Sequence, residues 1–148
     1  MLKYQAVKGK SFIVLMLIIA VVALVLRFAI GQLIRVNISQ NDSYAHSTIK
    51  LISAALENFA KDHEGAFPDK LSSLTGPEKS YLDKDYASLS PVKGYNYQCS
   101  RLDPAGYNCS ASAAVCNITG AKLFNISTGG LLVFEACKGK GEASAIDD

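Results

Sequence analysis

Phe12-Ile13-Val14-Leu15-Met16-Leu17-Ile18-Ile19-Ala20-Val21-Val22-Ala23-Leu24-Val25-Leu26 is a run of fifteen residues without a charge, and its reading decides what the rest of the chain can be. At 1.5 Å per residue the run covers roughly 22 Å of a hydrocarbon core about 30 Å thick. Beyond Arg27 the apolar character resumes in Phe28, Ala29, Ile30, Leu33 and Ile34, which brings the stretch to spanning length. Arg27 then lies near the far face of the bilayer and snorkels. At mid-bilayer it would cost about 2.5–3.5 kcal/mol on the insertion scale, which fifteen strongly apolar residues outweigh. Lys3, Lys8 and Lys10 precede the run, and the positive-inside bias keeps that end in the cytoplasm. A removable secretory signal is the alternative: a positive n-region, the same apolar run, and Ala29-Ile30-Gly31 as a small-x-small site would release a soluble domain starting at Gln32. Against it, Arg27 stands between the run and the cut, and the helical pattern continues through the cleavage point.

With 148 residues, the chain has room for one anchor and one small domain. The net charge of +2 arises with lysines at one end and Asp147 and Asp148 at the other, so it reports orientation across a membrane and not a nucleic-acid surface. Cys99, Cys109, Cys116 and Cys137 form no C-x-x-C pair. In an exported domain an even set implies two disulfides.

Downstream of the run the helix continues. Ile38, Ala45, Ile52 and Phe59 recur every seven residues, with Ile49 and Leu56 on the same face, a stripe that packs on the domain's own sheet. No proline precedes Pro68, although Gly31 and the polar run Ser39-Gln40-Asn41-Asp42-Ser43 are places for a bend. Gly65 suits a helix stop, and Phe67-Pro68 begins an extended segment. Residues 69–93 read as a loop with one short helical turn near Leu71 and Leu74.

Tyr95-Asn96-Tyr97-Gln98-Cys99 and Tyr107-Asn108-Cys109-Ser110-Ala111 flank Asp103-Pro104-Ala105-Gly106, a turn composition. A hairpin centred near Pro104 sets Cys99 opposite Cys109 and Tyr97 opposite Ala111, leaving Cys116 to Cys137; four cysteines allow three pairings, and the sequence does not choose among them. A second hairpin joins Lys122-Leu123-Phe124-Asn125-Ile126-Ser127 through Thr128-Gly129-Gly130 to Leu131-Leu132-Val133-Phe134-Glu135-Ala136. The apolar succession in its last strand implies cover by the helix on one face. Residues 138–148 read as a mobile tail.

The chemistry-bearing residue types form no catalytic pattern. His46 and His63 fall on the helix, His63 near its end where an imidazole meets the dipole favourably. Asp62, Glu64 and Asp69 read as a solvated acidic turn, and no metal ligand set, phosphate loop or nucleophile elbow is present. Tyr95 and Tyr97 read as sheet packing. The Asn-x-Ser/Thr triplets at Asn37, Asn41, Asn108, Asn117 and Asn125 are attributed to chance in a chain of this composition.

Lys8-Gly9 followed by Lys10-Ser11-Phe12-Ile13-Val14-Leu15-Met16 resembles the signal of type IV pilins and type II secretion pseudopilins. A second stretch, Ala55-Leu56-Glu57-Asn58-Phe59-Ala60-Lys61-Asp62-His63-Glu64-Gly65-Ala66-Phe67-Pro68 with Leu71 and Leu74, resembles the end of the pseudopilin helix. The resemblance implies cleavage by a prepilin peptidase between Gly9 and Lys10, methylation of the new N-terminus, and no cofactor. Its implied partners are other pilin-like subunits, the peptidase, an inner-membrane assembly platform and the lipid bilayer. The family usually has phenylalanine after the glycine and glutamate five residues beyond it. Here Lys10 and Val14 hold those places, which implies a minor or divergent subunit.

The fold expected is α+β and pilin-like: a long N-terminal helix, membrane-spanning in its inner half, packed on an antiparallel sheet of about four strands. Its parts are a leader at 1–9, a membrane half at 10–34, an exported half at 35–64, a head at 65–137 and the tail. Lys8, Gly9 and Lys10 carry processing; Phe12, Ile13, Val14, Leu15, Met16 and Arg27 belong to the anchor and filament core. The function expected is that of a structural filament subunit and not an enzyme. A membrane-tethered periplasmic binding domain that never polymerises is the alternative from another class.

Overall fold

In the computed structural model, residues 6–77, 79–103 and 106–138 are described. A single helix, α1 (Ala6–Asp62), is followed by a 3-10 turn (Leu71–Thr75) and four strands, β1 (Tyr95–Asp103), β2 (Gly106–Ala113), β3 (Lys122–Ser127) and β4 (Leu131–Ala136). The strands form one antiparallel sheet in the order β1-β2-β3-β4. The architecture is therefore α+β, a long N-terminal helix packed on a four-stranded antiparallel sheet. By contacts the chain divides into two compact units, Met1–Val36 and Asn37–Asp148.

In the first unit no side chain from residue 12 to residue 36 is buried. By length and composition this helix can cross a membrane. α1 begins at Ala6, so Lys8, Gly9 and Lys10 have helical backbone; residues 1–5 of the expected leader lie outside the described residues.

The second unit has a core built where the heptad stripe meets the sheet. Ala45, Ile49, Ile52, Ala55, Leu56 and Ala60 of α1 are buried with Tyr95 and Tyr97 of β1, Tyr107, Cys109 and Ala111 of β2, and Phe124 and Ile126 of β3. Phe67, Leu71, Leu74, Leu82 and Tyr86 from the intervening segment close it. Each large side chain so buried contributes about 1.5–3 kcal/mol before the ordering entropy is subtracted.

The polar run at residues 39–43 does not interrupt the helix, and its buried member has partners. Asp42 accepts a hydrogen bond from the Tyr95 hydroxyl (2.7 Å) and another from the Ala121 amide (3.0 Å). Asn41 donates to the Thr119 carbonyl (2.8 Å). The helix stops at Asp62, two residues short of the expected boundary, because Glu64 (φ 55°) and Gly65 (φ 86°) both turn left-handed. The Gly65 amide donates back to the Ala60 carbonyl (2.8 Å), the long bond of a Schellman-type ending.

The hairpin register follows the expectation: Cys99 faces Cys109 and Tyr97 faces Ala111. Pro104 and Ala105 of its turn lie outside the described residues. The disulfides are Cys99–Cys109 and Cys116–Cys137, with Cα separations of 4.0 Å and 5.8 Å, and no cysteine is free.

One expectation is overturned. β4 is not covered by the helix: Leu131, Val133 and Phe134 are exposed, and only Leu132 packs partly against the core. The strand's alternation is sound, since Leu132 and Phe134 stand opposite the buried Ile126 and Phe124. What fails is width. A helix about 10 Å across, laid on strands about 4.8 Å apart, roofs two or three of them, and β4 is the margin left over. The expected tail lies outside the described residues from position 139 onward.

Candidate membrane and assembly surface

Eighteen large apolar side chains between positions 12 and 36 are exposed, including Phe12, Ile13, Val14, Leu15 and Met16. From Phe12 to Leu26 they encircle the helix, leaving that stretch without a polar face of its own; a helix apolar all round is stable only inside lipid or among other helices. Leaving so many side chains in water would be unfavourable by tens of kcal/mol, on the order of 1.5–3 kcal/mol each. Val14 stands exposed near the N-terminal end of this surface and offers no charge to a neighbour.

Arg27 is not isolated. Leu24, Arg27, Phe28, Gly31, Gln32 and Arg35 line one groove on the helix surface. Arg35 went unremarked in the sequence, although its spacing of eight from Arg27 with a glycine midway was there to be read. Lys8, Gly9 and Lys10, where processing was expected, lie in the opening turns of α1, where only the backbone is described.

In the second unit the polar groups that sequence reasoning missed tie helix to sheet. The Tyr107 hydroxyl pairs with Ser53 Oγ (2.7 Å) and donates to Glu57 (3.1 Å), and Glu57 also accepts from the Gly129 amide (2.8 Å). Burial raises the hydroxyl pKa of Tyr95, and Asp42 beside it adds to the effect. Burial pushes Tyr97 up to about 12. At the helix end, hydrogen bonds from Lys79 and then Tyr81 hold the Asp62 carboxyl below its ordinary value. His63 stacks on Phe59 at 3.8 Å, and its Nδ1 is 2.8 Å from the Phe59 carbonyl, so it serves the helix end it was expected to serve.

The four cysteines are consumed in disulfides that brace the sheet and its last loop. Among the described residues no three His, Cys, Asp or Glu side chains gather as a metal site would require. The feature that stands out is therefore a surface, an exposed apolar helix bearing one cationic groove. Comparison of the chain with protein-family models, with characterised proteins and with solved structures finds no match.

Proposed function

We propose that this chain is a structural subunit of a type IV pilus-like filament or type II secretion pseudopilus, held in the bacterial inner membrane before assembly. The observation that carries the reading is the change of role along α1. Residues 12–36 are uncovered and, apart from Arg27, Gln32 and Arg35, almost wholly apolar, whereas Ala45, Ile49, Ile52 and Leu56 of the same helix belong to the core of the sheet-bearing unit. An apolar helix of that kind exchanges lipid for a bundle of like helices without exposing itself to water, which is what assembly from a membrane store requires. The two disulfides suit an exported, oxidising location for the head. Val14 removes the carboxylate that family members use against a neighbour's amino terminus, so this subunit fits a minor or divergent position.

Intact-mass spectrometry of the chain expressed with and without a prepilin peptidase tests the reading. The expected result is peptidase-dependent loss of residues 1–9, with a methyl group on Lys10. Retention of the leader would point to the tethered, non-polymerising domain. A mature start at Gln32 would sink the filament reading.

A further inference from the structure

We propose that Arg27, Gly31 and Arg35 form a binding site for the phosphate of an anionic phospholipid headgroup. The inference rests on the membrane-anchored reading above and adds a ligand to it. Four-residue steps place the three positions on one side of α1, each displaced about 6 Å along the axis and about 40° around it. Leu24, Phe28 and Gln32 line the same groove.

Three observations converge on an external anion. The first 41 residues contain no aspartate or glutamate, so neither guanidinium has a carboxylate within its own segment. The first acid, Asp42, already accepts from Tyr95 and Ala121. Gly31 lies inside a helix, where glycine costs about 0.5–1 kcal/mol against alanine, and a Cβ there would meet nothing within 4 Å. No packing within the chain therefore demands it. Its absent side chain opens the floor between the two arginines.

Depth supplies the third. Counted from Phe12, Arg27 is reached after about 22 Å of helix and Arg35 about 12 Å later, so the boundary of a 30 Å hydrocarbon core falls between them. The headgroup phosphate layer lies there. Arginine suits the task better than lysine, because its planar fork donates two parallel hydrogen bonds to phosphate oxygens. Gln32 adds an amide donor to the groove, while Leu24 and Phe28 offer an apolar wall to the acyl chains.

The test uses the full chain in nanodiscs of equal phosphatidylglycerol and phosphatidylcholine, with retained lipids counted by native mass spectrometry. Wild type is expected to retain phosphatidylglycerol preferentially by about fivefold per arginine, and R27Q/R35Q to lose about 25-fold. Gly31→Leu keeps both charges but fills the floor, and is expected to lose most of the preference. Equal retention of the two lipids by wild type, or full preference in Gly31→Leu, would overturn the site. Displacement by inorganic phosphate would refute a lipid source. Salt-sensitive oligomers in phosphatidylcholine alone that vanish in R27Q/R35Q would assign the arginines to a partner's carboxylates instead, and also refute it. Carbonate extraction separates the two failures: wild type absent from the membrane fraction defeats the anchor and the site with it, whereas wild type in the membrane without lipid preference defeats the site alone.

Discussion

Gly120 occupies a position with no room for a side chain, since a Cβ there would meet the Tyr95 ring at 2.4 Å. Tyr95 is fully buried, and its hydroxyl reaches Asp42 on α1, so the glycine sets how closely the loop before β3 approaches this ring. Gly120→Ala is expected to destabilise the chain by about 1–3 kcal/mol through overpacking, read as a lowered midpoint in urea. Titration gives a second outcome at this scale. Tyr95 and Tyr97 have folded pKa values raised by burial, so their contribution is fully present below the ordinary phenol value of about 10 and is lost as pH rises through the folded values. The phenolates of Tyr95 and Tyr97 are therefore expected to appear together with loss of circular dichroism above that pH. Titration of the Tyr95 or Tyr97 ring resonances at about pH 10 with the fold intact would contradict the burial. Asp42 belongs to a pattern present in the sequence: positions 42, 45, 49, 52 and 56 follow one heptad stripe, yet its polar neighbours marked it only as a place for a bend.

At the level of elements, α1 ends on a residue ill-suited to its conformation. Glu64 adopts φ 55°, where a β-carbon is penalised and glycine is not. Glu64→Gly is expected to raise stability by up to about 1 kcal/mol, measured by denaturant unfolding in detergent. β3 and β4 provide a contrast across a single cross-strand pair. Phe124 is buried and Phe134 opposite it is largely exposed, so Phe124→Ala is expected to cost about 3–5 kcal/mol and Phe134→Ala much less. Equal costs would mean that β4 is covered after all. The register of the first hairpin followed from centring it on its turn, and the strands and turn of the second were legible because turn residues and apolar runs mark them locally. Cover over β4 was not, because it depends on how many strands one helix can roof, a distance between elements that no local pattern encodes.

For the molecule as a whole, the disulfides carry the covalent part of the stability. Cys99–Cys109 closes a separation of 10 residues and Cys116–Cys137 one of 21, and the longer closure restricts the unfolded chain by about 0.7 kcal/mol more. Replacing the second pair with serine is expected to lower the thermal midpoint further than replacing the first. An equal or smaller loss would show that native-state contacts outweigh loop length. The architecture of anchor, helix and sheet was readable from hydropathy and spacing, since an uninterrupted apolar run and a heptad stripe admit few alternatives. The hydrogen bonds that lock helix to sheet, from Asp42, Ser53 and Glu57, join residues about 50 to 80 positions apart and have no local signature.

The two margins of the sheet differ in kind. On the β1 side the Tyr97 amide donates to Ser90 Oγ (2.8 Å), and Tyr95 exchanges backbone hydrogen bonds with Val92. Along β4, six residues carry one charge, Glu135, and neither lysine nor proline. In the language of polymer chemistry the head carries unequal valences for strand addition: the β1 margin is blocked at Tyr95 and Tyr97, and β4 bears no such block among the described residues. Two heads that meet through β4 use the more open valence of each, so edge pairing favours a pair over a growing ribbon. Indefinite order among copies of this chain is then expected to come from elsewhere in the molecule, and a concentrated solution of heads should reach a plateau in size where a difunctional sheet would gel.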